Sequence, residues 1–240
     1  MLMVKKFGGT SVADKEKIFN VANRCIEDYK KGNKIVVVLS AMGKHTDELI
    51  SLANEISINV PKREMDMLFT VGEQITVSLM AMAFDKLGIP AVSLNAFQVR
   101  MLTNANYGDA EIIKIETERI QAELSKNKIV IVTGFQGIDE NNNYTTLGRG
   151  GSDTTAVALA SYLNADSCEI YTDVDGVYTA DPRIVNDAIK LENISYDEML
   201  ELANLGAGVL HNKCVKLAKA NNIKLVVRSS MSNLERNSCI

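Results

Sequence analysis

The chain has few of the residues that staple, break or decorate a fold. Its 240 residues hold three prolines, two histidines and no tryptophan, and aromatics make up 5%. The four cysteines, Cys25, Cys168, Cys214 and Cys239, lie far apart with no CxxC pair. That spacing excludes a disulfide-stapled miniprotein and a zinc-ribbon site, and suits buried thiols of a reducing compartment. With only His45 and His211 present, no Ser-His-Asp or Cys-His arrangement is legible, and HExxH does not occur. Positive charge is scarce as well: 26 Lys and Arg face 30 Asp and Glu, for a net charge of -4. A duplex nucleic-acid binder would show a basic surplus, so no nucleic-acid partner is expected. No uninterrupted apolar run approaches the roughly 18 residues of a membrane span. The opening Met1-Leu2-Met3-Val4-Lys5-Lys6 lacks a signal-peptide core. A cytoplasmic protein without a membrane partner is expected.

Hydrophobic residues are 46% and charged residues 23%, the balance of a globular protein, with a folded surface of roughly 10,600 Å² for this mass. Val4–Phe7, Ile35–Leu39, Ala91–Leu94, Ile129–Val132, Cys168–Tyr171 and Ile223–Val227 read as strands. Several are continuously apolar, as strands covered on both faces are. Between them, Ile18, Val21, Ala22, Cys25, Ile26 and Tyr29 repeat at helical spacing behind a capping start at Ser11 and Asp14. Ile113, Thr117, Ile120 and Leu124 mark a second helix, capped by Asp109. Glu64–Leu87 is the longest helical stretch, closed by Gly88, with its methionines read as core filler. A hairpin around 139–143 looks like an excursion over a site. The alternation predicts an α/β fold, a sandwich around a mostly parallel sheet, as one domain over 1–240.

Four segments place small or charged residues just past a strand, where sites gather in such sheets. Lys6-Phe7-Gly8-Gly9-Thr10-Ser11 offers a close backbone approach and a positive charge for phosphoryl oxygens, although a tight turn with a surface lysine would use the same residues. Leu147-Gly148-Arg149-Gly150-Gly151-Ser152-Asp153 runs into a helix N-terminus. Arg149 can grip a carboxylate with two parallel bonds, and Asp153 either favours the helix dipole or holds Lys6. The segment is neither GxGxxG after a strand nor GxxxxGK[ST]. Tyr171-Thr172-Asp173-Val174-Asp175-Gly176-Val177-Tyr178, followed by Asp181 and Arg183, offers a ring for a nucleobase and carboxylates for a magnesium ion, or forms a plain surface turn. Ser40-Ala41-Met42-Gly43-Lys44-His45-Thr46 brings hydroxyls to a small polar substrate. Glu73, beside Gly72 in an apolar helix, points a charge inward at a ligand ammonium or marks a helix break. Together these features fit a transfer reaction run by positioned positive charge and backbone amides.

The residues Lys6-Phe7-Gly8-Gly9-Thr10-Ser11, Phe69-Thr70-Val71-Gly72-Glu73, Gly134-Phe135-Gln136-Gly137, Gly148-Arg149-Gly150-Gly151-Ser152-Asp153 and Tyr171–Tyr178 resemble, in order and spacing, those of the aspartate kinases within the amino acid kinase family. The resemblance implies a three-layer α/β/α sandwich and ATP- and Mg²⁺-dependent phosphorylation of the side-chain carboxylate of L-aspartate to 4-phospho-L-aspartate, towards lysine, threonine and methionine. It implies that Lys6 stabilises the transferring phosphoryl group and Asp153 orients Lys6. Arg149 would hold the substrate α-carboxylate and Glu73 its ammonium, with Ser40, Thr46 and Ser152 seating it. Gly8, Gly9, Thr172, Asp173, Tyr178, Asp181 and Arg183 would serve the nucleotide.

Two departures stand out. Gly208 and Asn212 occupy places where the family usually carries lysine and proline, which implies a weaker enzyme, a phosphate contact passed to Lys213 or Lys216, or no activity, with a working variant favoured because the other site residues are all present. The sequence also ends where relatives continue into regulatory ACT domains, so a catalytic domain alone, as a homodimer or with a separate regulatory subunit, is expected. The other readings are a kinase acting on glutamate or a nucleoside monophosphate, and a non-catalytic nucleotide-binding subunit.

Overall fold

The computed structural model describes residues 1–181, 184–206, 208–230 and 237–240. In chain order the strands are β1 (Leu2–Phe7), β2 (Lys34–Leu39), β3 (Ala91–Leu94), β4 (Leu102–Thr103), β5 (Ile112–Lys114), β6 (Ile129–Thr133), β7 (Gln136–Ile138), β8 (Tyr144–Thr146), β9 (Ser167–Thr172), β10 (Val177–Tyr178), β11 (Lys190–Leu191), β12 (Leu225–Ser229) and β13 (Asn237–Cys239). The helices are α1 (Lys15–Lys30), α2 (His45–Ile56), α3 (Lys62–Lys86), α4 (Glu118–Ser125), α5 (Gly151–Tyr162), α6 (Tyr196–Asn204) and α7 (Asn212–Asn221).

The six apolar runs all enter one seven-stranded sheet, ordered β13-β12-β9-β1-β2-β6-β3. Every pairing is parallel except β12 with β13. Successive residues of a strand point to opposite faces, and here both faces are dry. Val4, Val36, Val38, Val130 and Val132 join the core beneath α5 and α7. Phe7, Ile35, Val37, Ile129 and Ile131 join the core beneath α1 and α3. Burying one such side chain is worth roughly 1.5–3 kcal/mol, so a register slip in any central strand would expose or misplace several of them. The result is the three-layer α/β/α sandwich.

Two lysines adjacent on β1 follow the same alternation. Lys5 is fully buried on the α1 side, 2.5 Å from Asp28 and 3.2 Å from Glu169. Lys6 points the other way, towards α5.

The structure adjusts three sequence expectations. Asp14 alone caps α1, accepting from the Lys17 amide at 2.9 Å, while Ser11 is buried in the preceding 3-10 turn. α4 starts after Thr117, because Ile113 belongs to β5 and Asp109 lies in a turn elsewhere. The four methionines of α3 divide between Met80 in the core, half-buried Met65, and Met67 and Met82 on the outside. α3 is long and apolar enough to cross a membrane by length and composition, yet its inner face carries Val77 and Phe84 together with buried Asp66 and Glu73. The hairpin at 139–143 is present as β7 and β8, within a small sheet β5-β4-β7-β8 beside the carboxyl end of the main sheet.

Candidate active site

β1 and β2 leave the sheet side by side, and the chain crosses to β9 on the other flank of β1. Such a reversal opens a crevice at the carboxyl ends of the strands. The crevice here is a cleft of about 460 Å³, roofed by the small sheet and lined by residues of β1, α2, α3, β8, α5 and the loops at the strand ends.

The β1 turn supplies Lys6, Gly8 and Gly9. A side chain at Gly9 would place its Cβ 2.6 Å from the Ala41 carbonyl oxygen. The two strand-end loops therefore pack backbone to backbone, joined by the Gly43 amide donating to Gly9 O at 3.0 Å. Lys6 Nζ lies 2.6 Å from Asp153 Oδ1 in the first turn of α5, a half-buried pair that aims the ammonium along the cleft. α5 has no side-chain cap at Gly150, so its opening amides and positive dipole end face the same space. Gly150 holds φ at 72°, and a Cβ there would meet His211 at 2.5 Å. The glycine loop thus lies against the start of α7.

The opposite wall comes from β2, α2 and α3. Ser40 donates to Ser152 Oγ at 3.0 Å, linking the end of β2 to α5. Thr46 enters from the first turn of α2. Glu73 is only 3% exposed. One of its oxygens accepts from the Ala41 amide at 3.1 Å, and the other has no hydrogen bond among the described residues. Burial outweighs that bond and pushes the carboxyl up to about 7. Arg149 stands exposed at the rim.

The structure therefore brings Lys6, Gly8, Gly9, Ser40, Thr46, Glu73, Arg149, Ser152 and Asp153 around one cleft. Among the described residues, the remaining sequence candidates sit one strand away. Thr172 closes β9 and donates to Asp173 at 3.0 Å. The Tyr178 hydroxyl is held by Asp175 at 2.9 Å within the β10–β11 ribbon, where Lys190 also meets Asp175. Asp181 lies in the connection between β10 and β11, and Arg183 lies outside the described residues. Thr172, Asp173, Tyr178 and Asp181 do not line the cleft. Lys213 pairs with Asp109 above the glycine loop, and Lys216 is exposed. Gly208 stands in open space, where a Cβ would meet nothing within 4 Å.

Sequence reasoning missed Gly108 and Thr146, which line the cleft, and Asp66, which fastens both. Gly108 and Thr146 carry no motif of their own.

The cleft suits a phosphorylated ligand, because Lys6, the close-packed glycines and the uncapped start of α5 all favour anionic oxygen. Among the described residues no three His, Cys, Asp or Glu side chains gather as a metal cage. Mg²⁺ commonly binds through phosphates with one or two carboxylates, so the set fits a cation carried by a nucleotide, with Asp153 the carboxylate beside Lys6.

The model of the amino acid kinase family matches residues 1–229. The chain is 62% identical over 234 residues to an aspartokinase of Bacillus sp. (strain MGA3), covering 98% of this chain and 57% of that protein. It is 60% identical over 229 residues to aspartokinase 2 of Bacillus subtilis (strain 168), covering 95% and 56%. The chain thus spans a little over half the length of these curated relatives. Among solved structures, E. coli aspartokinase III in complex with aspartate and ADP superposes with a TM-score of 0.89 at 28% identity, over 100% of this chain and 64% of that one. Aspartate kinase from Synechocystis superposes with a TM-score of 0.89 at 48% identity, over 100% and 39%.

Proposed function

The chain belongs to the amino acid kinase family, and on that premise we propose that residues 1–240 act as a cytoplasmic catalytic domain that phosphorylates the side-chain carboxylate of L-aspartate with ATP. The observation that carries this reading is one cleft holding a buried carboxylate, Glu73, and a guanidinium, Arg149, together with the Lys6–Asp153 pair. An α-amino acid presents the opposite charges to Glu73 and Arg149. A nucleotide acceptor would want more positive charge there.

The acceptor needs no general base. An aspartate side chain with pKa near 4 is ionised at pH 7 and can attack the γ-phosphorus directly. The obstacle is repulsion between that anion and the triphosphate. Lys6, held by Asp153, the strand-end glycines and the α5 amides offset it at the place where charge develops. Bound Mg²⁺ supplies further neutralisation of the phosphates. Gly8 and Gly9 serve the phosphates, while Ser40, Thr46 and Ser152 seat the acceptor. Thr172 at the end of β9, with Asp173, Tyr178, Asp181 and Arg183 after it in the sequence, serve the rest of the nucleotide. The protein partner in this reading is a second copy of the chain.

Trapping the acyl phosphate with hydroxylamine tests the assignment. Purified protein with Mg-ATP should give hydroxamate with L-aspartate and not with L-glutamate or without acceptor. Lys6→Met should lower kcat by 100-fold or more with aspartate KM changed less than about 3-fold. Hydroxamate from glutamate alone, or from neither amino acid, would overturn the reading.

A further inference from the structure

Asp66 lies one turn inside α3 and is 1% exposed, yet among the described residues no basic side chain forms an ion pair with it. Its carboxylate is spent on the backbone of two other segments. Oδ2 accepts from the amides of Gly108 and Thr146, both at 2.9 Å, and Oδ1 accepts from the Thr146 hydroxyl at 2.7 Å. The Thr146 carbonyl in turn accepts from the Ala110 amide at 2.8 Å. One buried side chain thus fastens the 108–110 turn and the end of β8 to α3. Burying a carboxylate is costly unless its acceptors are used, and all three bonds here go to residues at the cleft wall.

The chain leaves Thr146 for Arg149 three residues later, and Glu73 follows Asp66 by seven residues, two turns along the same helix face. α3 therefore carries Glu73 directly and Arg149 through Asp66. We infer that Asp66 is a positioning residue that sets the spacing between Glu73 and Arg149, and through it the affinity for the amino-acid acceptor. This rests on the reading of Glu73 and Arg149 as the anchors of that acceptor. The nucleotide side of the cleft is built on β1 and α5, to neither of which Asp66 makes a hydrogen bond among the described residues.

The variants Asp66→Ala, Asp66→Asn and Thr146→Val test it. Alanine removes all three bonds. Asparagine can keep both backbone bonds through its carbonyl oxygen and donate to the Thr146 hydroxyl, so it should restore function. Asp66→Ala should raise aspartate KM by 10-fold or more, with ATP KM and kcat changed less than about 3-fold, and Asp66→Asn should return aspartate KM to within about 3-fold of the parent. Thr146→Val, which loses one bond without changing shape, should raise aspartate KM about 2–5-fold and decides the matter if the alanine variant does not fold. Aspartate and ATP KM rising in parallel, or an unmoved aspartate KM, would overturn the inference. If the parent makes no hydroxamate, the functional reading falls by itself. Hydrogen exchange at the Gly108 and Thr146 amides then reads the clamp directly: faster exchange in Asp66→Ala than in Asp66→Asn supports it, and equal exchange overturns it.

Discussion

Glu73 shows how far surroundings can move a single residue. Its carboxyl is buried against the Ala41 amide with no ion-pair partner among the described residues, and burial raises it from the ordinary 4.5 to about 7. A raised carboxyl means that the folded chain holds the proton more tightly than the unfolded chain does. Its contribution to stability is complete below about 4.5 and is lost as pH rises through about 7. Glu73→Gln removes this dependence. Without substrate, the variant should match the parent in urea unfolding at pH 4 and exceed it at pH 8, by up to roughly 3 kcal/mol. An acceptor ammonium has the opposite effect, since it favours ionised Glu73. Aspartate KM should therefore fall in the parent between pH 6 and pH 8 and stay high and flat in Glu73→Gln. Parallel profiles in the two proteins would remove Glu73 from the ammonium site.

At the scale of elements, the cleft depends on how closely the ends of β1 and β2 approach. Gly9→Ala forces a Cβ to 2.6 Å from a backbone carbonyl, an overpacking that costs about 1–3 kcal/mol. It should also raise ATP KM by separating the loops. Gly208→Ala meets nothing within 4 Å and should shift stability by less than about 1 kcal/mol; similar urea midpoints for the two variants would refute the close-packing argument. The same contrast explains which elements were legible in the sequence. β1, β2, β6, β9 and β12 are largely buried on both faces, so their apolar runs announce them, and the edge strand β3 is half-buried yet keeps an apolar run. β13 is Asn-Ser-Cys on an edge and carries no such pattern. Ile113 sits at helical spacing with Ile120 and Leu124, yet it is exposed in β5. Its place is fixed by pairing with β4, which local periodicity does not encode. The Lys6 and Arg149 loops could be read because glycines and charge lie together in sequence. Asp66, Gly108 and Thr146 could not, since they meet only through tertiary packing across gaps of 42 and 80 residues.

The whole molecule exposes 12002 Å², against roughly 10,600 Å² for a compact monomer of its mass. Part of the exposed surface is apolar and ordered: Met67, Val71, Ile75, Leu79 and Met82 form a stripe along the outer face of α3. The stripe is close to symmetric about Ile75. Turned end for end on a second copy, it sets Val71 against Leu79, and exposed Glu64 against exposed Lys86. A patch whose apolar centre and terminal charges both complement themselves fits an isologous two-fold contact, and it explains why a helix so apolar leaves one face outside the core. The protein should therefore sediment as a dimer at micromolar concentration, and Ile75→Asp should sediment as a monomer. That substitution faces away from the cleft, so hydroxamate formation should persist unless the dimer itself supports the site. A parent that sediments as a monomer at these concentrations would show that the stripe does not join two copies.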